Sequence, residues 1–175
     1  AEVHPFFPNK SLGIRGTIGG KVDENLTPID AVKFAAAYGS WLKGQAGKER
    51  VKVVIGRDAR VSGEMIQNLV QYTLIGLGID VINIGLSTTP TVEVAAPMEK
   101  ADVGIILTAS HNPKEWNALK LLNNKGEFVS DEDGKAILRI AQENDFSFAT
   151  VDHLGKLSYD DRYIDLHIEK VLTLP

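Results

Sequence analysis

The chain of 175 residues contains no cysteine, which removes disulfide bonds, thiolate zinc sites and cysteine nucleophiles together and suits a reducing compartment. It also lacks any apolar run approaching the roughly 20 residues needed to cross a bilayer. Basic residues are not in excess. Nineteen Lys and Arg stand against twenty-three Asp and Glu, a formal net charge of −4, so there is no electrostatic footprint for nucleic acid or for an anionic membrane surface. The first ten residues, AEVHPFFPNK, have neither the basic start nor the apolar core of a secretory signal, and a cytoplasmic location is the expectation. Internal repeats and low-complexity segments are absent. So are three motifs that would name a chemistry outright: the G-x-S-x-G elbow of acyl-transfer serines, the G-x-x-x-x-G-K-[ST] phosphate loop and the G-x-G-x-x-G dinucleotide fingerprint.

What is present is the make-up of an ordinary globular domain, 43% hydrophobic and 24% charged, long enough to bury a real core. LGIRGTIGGKV is strand-like but punctuated by glycines around Arg15, which lets a ligand approach the backbone closely. Thr27-Pro28-Ile29-Asp30 has the order of an N-cap, a first-turn proline and an early acid, and opens a helix to about Lys43. VKVVIG is a β-branched run typical of a doubly buried strand, followed by the charged loop RDAR and a helix from a Ser62 cap to Leu77. IDVINIG is the next strand, LSTTP its loop, with Thr88, Thr89 and Pro90 forming a helix-opening turn, and Thr91 to Lys100 a short helix.

ADVGIIL is a further buried strand, and NALKLLNNKGEFVS reads as two short strands around a turn at Asn124 to Gly126. A helix is expected over Asp131 to Asn144, a connector over Phe146 to Lys156, and an unevenly apolar last helix over Tyr159 to Leu172. Strands alternating with helices predict a three-layer α/β/α domain whose sheet is mainly parallel but mixed, the NNKGE turn supplying at least one antiparallel strand. The loops RDAR, LSTTP and TASHNP then all leave the carboxyl ends of parallel strands, where open α/β sheets bind ligands.

The richest of these is TASHNP. Ser110 has Ala109 and His111 as neighbours, so the elbow pattern is missing, and an adjacent histidine rarely reaches the hydroxyl as a base. Phosphoryl transfer through Ser110 is a different matter. A phosphoserine carries about −1.5 to −2 charges at neutral pH, so such a loop needs cations and a metal ion. Arg15, Arg57, Arg60, His111 and Lys120 are the candidate cations. The bland alternative makes Ser110 a turn residue and Arg57, Asp58 and Arg60 an exposed salt-bridge loop.

TASHNPKEWNALK closely resembles the active-serine loop of the α-D-phosphohexomutases, the phosphoglucomutase/phosphomannomutase family, and GIRG, GRDAR and STTP match that family's first domain in order and spacing. One departure is Ala118 after Asn117, where the family often has glycine; alanine there favours a β conformation. The resemblance implies that Ser110 is the phosphoryl carrier between hexose 1-phosphate and hexose 6-phosphate, through a bisphosphorylated sugar. It further implies that Mg2+ sits on the Ser110 phosphate and that His111 and Lys120 border it, Lys120 as a proton-transfer group. Arg15, Asn112, Arg57 and Lys120 would bind phosphate or substrate, with Asn112 also holding the loop's shape.

Residues 1–156 would form the catalytic-serine domain, and 157–175 a helix and linker toward further domains of the same polypeptide. Those domains would supply the acidic D-G-D-x-D-R magnesium loop and the sugar-recognition loop, neither of which occurs in this sequence. On this reading the chain alone completes no turnover. Thr108 leans toward the glucose/mannose branch and away from the glucosamine-phosphate branch, which tends to have serine there. A phosphoglucosamine mutase domain and a non-catalytic phosphosugar-binding module are the alternatives.

Overall fold

Val53 and Ile55 face one way from their strand, Val54 the other, and all three are fully buried, so both faces of the sheet must be covered. The computed structural model of the chain describes residues 13–48 and 50–174. The N-terminal segment AEVHPFFPNK lies outside the described residues.

In chain order the elements are β1 (Ile14–Thr17), α1 (Pro28–Ala46), β2 (Lys52–Arg57), α2 (Gly63–Gly76), β3 (Asp80–Leu86), α3 (Thr89–Met98), β4 (Val103–Leu107), β5 (Trp116–Leu122), α4 (Asp131–Glu143), β6 (Leu157–Tyr159) and α5 (Tyr163–Leu172). They build one six-stranded sheet ordered β1-β5-β4-β2-β3-β6. Strands β4, β2, β3 and β6 run parallel, while β5 lies antiparallel between β4 and β1. The expected α/β/α architecture with a mixed, mainly parallel sheet is what the chain adopts.

Alternation along each strand sorts the apolar side chains into two cores. Val53, Ile55, Ile105 and Leu107 pack with Phe34, Ile66, Leu74 and Ile137 of α1, α2 and α4. Val54 and Ile106 pack on the opposite face with Val92 and Ala95 of α3 and Tyr163 of α5. Full burial of each such side chain contributes roughly 1.5–3 kcal/mol, which is why the central strands tolerate no polar residue on either face.

The helix starts follow local chemistry. Thr27 accepts from the Asp30 amide while the Asp30 carboxylate accepts from the Thr27 amide and hydroxyl, a reciprocal cap reinforced by Pro28 in the first turn. Gly47 closes α1 in a left-handed conformation. Thr88 caps α3 through the Thr91 amide, as expected of a helix-opening turn. Ser62 does not cap α2: it makes no capping hydrogen bond, because its Oγ instead accepts from Asn117 Nδ2 at 2.9 Å.

Two expectations about strands need correction. After the turn at Asn123 to Gly126, the returning segment makes only a bridge, Leu122 to Phe128, and no second strand. The capping box of Ser130 with Asp133 starts α4 at Asp131 and leaves too few residues for a ladder. The last helix begins at Tyr163, not Tyr159, and the preceding stretch forms β6 on the outer side of β3. Hydrogen bonds from the Ala149 and Gly155 amides to Gly76 and Ile75 carbonyls lay that stretch along the end of α2. The Lys156 carbonyl then accepts from the Val81 amide at the start of the new ladder.

Candidate active site

Strand β4 delivers the serine loop at its carboxyl end, and β5 returns directly beside it, so the two ends of the loop are neighbours in the sheet. The Thr108 amide still donates to the Ala118 carbonyl, and Ile106 faces Lys120 in the β4/β5 register. On the other side of β5, Arg15 of β1 pairs with Ala118, which has the β conformation expected of it. That pairing demands glycine at position 13: its φ is +123°, and a Cβ there would stand 2.1 Å from the Leu119 carbonyl oxygen. The ladder thereby fixes Arg15 and Lys120, far apart in sequence, on adjacent strands at one edge.

Ser110 is exposed and has φ +53°, a left-handed conformation that costs a non-glycine residue about 1–2 kcal/mol. The loop compensates with local bonds. The Ser110 amide donates to Thr108 Oγ1 at 3.0 Å, and the Asn112 amide donates to the Ala109 carbonyl at 3.0 Å. The side chain of Ser110 then meets Lys120, whose Nζ lies 2.7 Å from Oγ. Arg15 Nη1 donates to Asn112 Oδ1 at 2.9 Å, which ties a second cation-bearing strand, β1, to the loop.

Lys120 is 8% exposed, and burial lowers its pKa below the usual lysine value; the nearby Arg15 charge lowers it further, while Asp58 and Glu93 offset part of the shift. A lysine of this kind can hold a proton or give it up, whereas Arg15 keeps its charge.

The candidates therefore separate. Ser110, Lys120, Arg15 and Asn112 form one connected cluster. His111 is exposed beside Ser110 and makes no hydrogen bond or ion pair with another described residue. Among the described residues, Arg57 makes no hydrogen bond to the cluster. Its Nη1 donates to the Asp58 carbonyl, and it lines a groove of about 460 Å³ with Leu86, Thr88, Ile164 and His167 between β2, β3 and α5.

Arg60 corrects the picture of an exposed salt-bridge loop. It does pair with Asp58, at 3.2 Å, but its side chain is only 12% exposed and lies against the serine loop. Nη2 donates to the carbonyls of Ser110 and Asn112, and Nη1 to those of Pro113 and Trp116, all at 2.8–3.0 Å. Asn117 is a residue that sequence reasoning missed. Fully buried, it joins the start of β5 to Ser62 at the head of α2. An asparagine inside an apolar strand pattern was the available signal.

The fold and the cluster define a three-layer α/β/α domain that presents a serine, held by a lysine, at the carboxyl edge of its sheet. The chain belongs to the phosphoglucomutase/phosphomannomutase family: residues 9–148 match its alpha/beta/alpha domain I. It is 39% identical over 148 residues to a phosphoglucomutase/phosphomannomutase of Thermococcus kodakarensis, covering 83% of this chain and 32% of that protein. It is 36% identical over 159 residues to a phosphoglucosamine mutase of Nautilia profundicola, covering 91% and 35% respectively. The chain thus spans about a third of the length of these relatives. Among solved structures, a phosphoglucomutase/phosphomannomutase family protein of Burkholderia thailandensis superposes with a TM-score of 0.78 at 24% identity, over 98% of this chain and 36% of that one, and so shares the fold.

Proposed function

We propose that this chain is the serine-bearing domain of a phosphohexomutase, in which Ser110 carries a phosphoryl group between hexose 1-phosphate and hexose 6-phosphate. The contact of Lys120 Nζ with Ser110 Oγ carries the reading, because it couples the only nucleophile in the cluster to a group of lowered pKa. Neutral Lys120 would take the hydroxyl proton as Ser110 Oγ bonds to phosphorus and the bond from phosphorus to the sugar oxygen breaks, and that proton would pass to the released sugar oxygen. In the reverse step the sugar hydroxyl would give up its proton as its oxygen attacks the phosphoserine, and the amine would return the proton to the departing Ser110 Oγ. Arg15 would stabilise charge on the transferring group, and His111, exposed beside it, would border the phosphate.

Magnesium fits this site through phosphate alone. The side chains around Ser110 are cationic or neutral, and no group of three or more His, Asp or Glu suited to a metal occurs among the described residues. From this chain the Ser110 phosphate would supply one oxygen, and the remaining protein ligands would come from the rest of the polypeptide. Bound there, the ion supplies charge neutralisation for phosphoryl transfer.

Hexose phosphate and hexose bisphosphate are the proposed ligands, shared with further domains that supply sugar recognition. The exposed apolar residues Ile164, Ile168 and Leu172 on α5 suit a contact with such a domain. Relatives named for glucose, mannose and glucosamine phosphates match at similar identity, so a phosphoglucosamine mutase is a second reading. Thr108 does not discriminate between them. Its hydroxyl serves the Ser110 amide, a bond that serine would make equally well.

The test is Ser110→Ala in the full-length protein, assayed for mutase turnover with glucose, mannose and glucosamine phosphates beside circular dichroism and intact mass. Turnover should vanish with the fold intact, and only the parent should show partial occupancy by a single phosphoryl group. Near-normal turnover of the variant ends the carrier hypothesis. An unphosphorylated parent that binds hexose phosphate without converting it would be a phosphosugar-binding module.

A further inference from the structure

A guanidinium has five N–H donors and no acceptor, so its partners can be counted. In Arg60, Nε donates to Asp58 Oδ2, both donors of Nη1 go to the Pro113 and Trp116 carbonyls, and both of Nη2 to the Ser110 and Asn112 carbonyls. None is left for a substrate phosphate. Four of the acceptors are main-chain oxygens of the turn between β4 and β5, and one belongs to Ser110 itself, the residue whose backbone is held at φ +53°. The other end of the side chain is anchored just as firmly. Asp58 accepts from both the Arg60 side chain and the Arg60 amide, and the Asp58 amide donates to Leu107, the last residue of β4.

We propose that Arg60 is the positioning residue of the phosphoryl-transfer site: it fixes the backbone of the serine loop so that Ser110 Oγ stays directed at Lys120 Nζ. This rests on the reading of Ser110 as the phosphoryl carrier. The geometry requires arginine. A planar fork reaches four carbonyls from one partly buried centre, whereas a lysine ammonium has three donors at a single point and leaves at least one carbonyl without its partner. Arg60 acts through Ser110 and contacts no reacting atom, so its loss affects the chemical step more than ground-state binding of the sugar phosphate.

The experiment compares Arg60→Lys, Arg60→Ala and Ser110→Ala in the full-length enzyme, by steady-state kinetics and by amide hydrogen exchange. For Arg60→Lys, kcat should fall about ten- to a hundred-fold with KM within about three-fold, the scale of a small misplacement of a reacting group. The amides of Ser110, Asn112 and Trp116 should exchange at least about ten-fold faster while those of α1 and β2 keep their protection, since only the loop is loosened. Guanidinium ion at low, non-denaturing concentration should restore part of kcat to Arg60→Ala and none to Ser110→Ala.

Unchanged kcat and loop exchange in Arg60→Lys would overturn the proposal. So would a raised KM with normal kcat, which would make Arg60 a substrate contact, or faster exchange throughout the domain, which would make it a general support of the fold. An active Ser110→Ala would instead remove the carrier reading itself, whatever Arg60 does.

Discussion

Lys120 and Arg15 both meet the serine loop, Lys120 at the Ser110 hydroxyl and Arg15 at Asn112, and the proposed function gives the two cations different tasks. Burial and the Arg15 charge lower the Lys120 pKa, so its proton is more easily lost than that of a surface lysine. If it transfers the Ser110 proton, Lys120→Arg keeps the charge, loses the proton exchange, and should cut kcat by about 10²–10⁴-fold, the usual worth of a positioned acid or base. Arg15→Lys keeps a charge near the phosphate and should be milder. Profiles of kcat against pH for both variants in the full-length enzyme check this: full activity of Lys120→Arg at every pH would leave Lys120 an electrostatic role only. The same lowered pKa has a stability consequence. Between the folded pKa and the ordinary value the unfolded chain holds the extra proton, so this group's contribution to stability rises with pH in that window and is unfavourable below it. Of the site's residues, Ser110, Lys120, Arg15 and Asn112 were legible from the quoted motifs. Arg60 was legible only as a charge, because four of its five donors go to carbonyls 50–56 residues away, which leaves little local pattern.

At the scale of elements, one carboxylate helps to hold the edge strand β6. Asp80, at the start of β3, accepts from Arg50 Nε and Nη2 and from the Lys156 amide that leads into β6. Burial pushes its pKa up, but the Arg50 guanidinium and the Lys156 amide and charge outweigh that and hold it below the ordinary value. The stabilisation is therefore present above the ordinary carboxylate range and is lost as pH falls through the lowered folded pKa. Arg50 is largely exposed, so the ion pair is screened: Asp80→Asn should cost no more than about 1 kcal/mol by urea titration at neutral pH. It should also flatten the acid limb of the stability curve and speed exchange of the β3/β6 amides. An unchanged acid limb would mean that Asp80 does not tie β6 to the sheet. This strand escaped the sequence reading because Leu157-Ser158-Tyr159 is short and mostly exposed, so neither periodicity nor apolar content distinguishes it from a connector.

Across the whole molecule, the cluster supplies cations and a nucleophile but few acids. Asp58, the nearest, is committed to Arg60. Unphosphorylated Ser110 presents a metal with only a neutral hydroxyl, so calorimetric titration of magnesium into the 175-residue chain should show no binding tighter than the millimolar range expected of isolated oxygen ligands. Micromolar binding would reveal an acidic site that the described residues do not contain, and would move the metal ligands into this domain. The prediction complements the family relationship: the chain matches about a third of the length of its relatives, and on the proposed function the groups that complete the reaction lie in further domains.

The sequence by itself determined the α/β/α class, the central strands and most helices, because the buried positions of β2 and β4 are apolar in unbroken runs and helix caps are local chemistry. It also determined the serine loop, whose long motif is contiguous. Tertiary structure decided what depends on contacts between distant segments. Pairing of β1 with β5 brings Arg15 to Lys120, docking along α2 turns residues 157–159 into a strand, and Ser62 is diverted from capping by Asn117. It also turned Arg60 from a surface charge into the clamp of the loop, since a buried donor must find its acceptors wherever the fold places them.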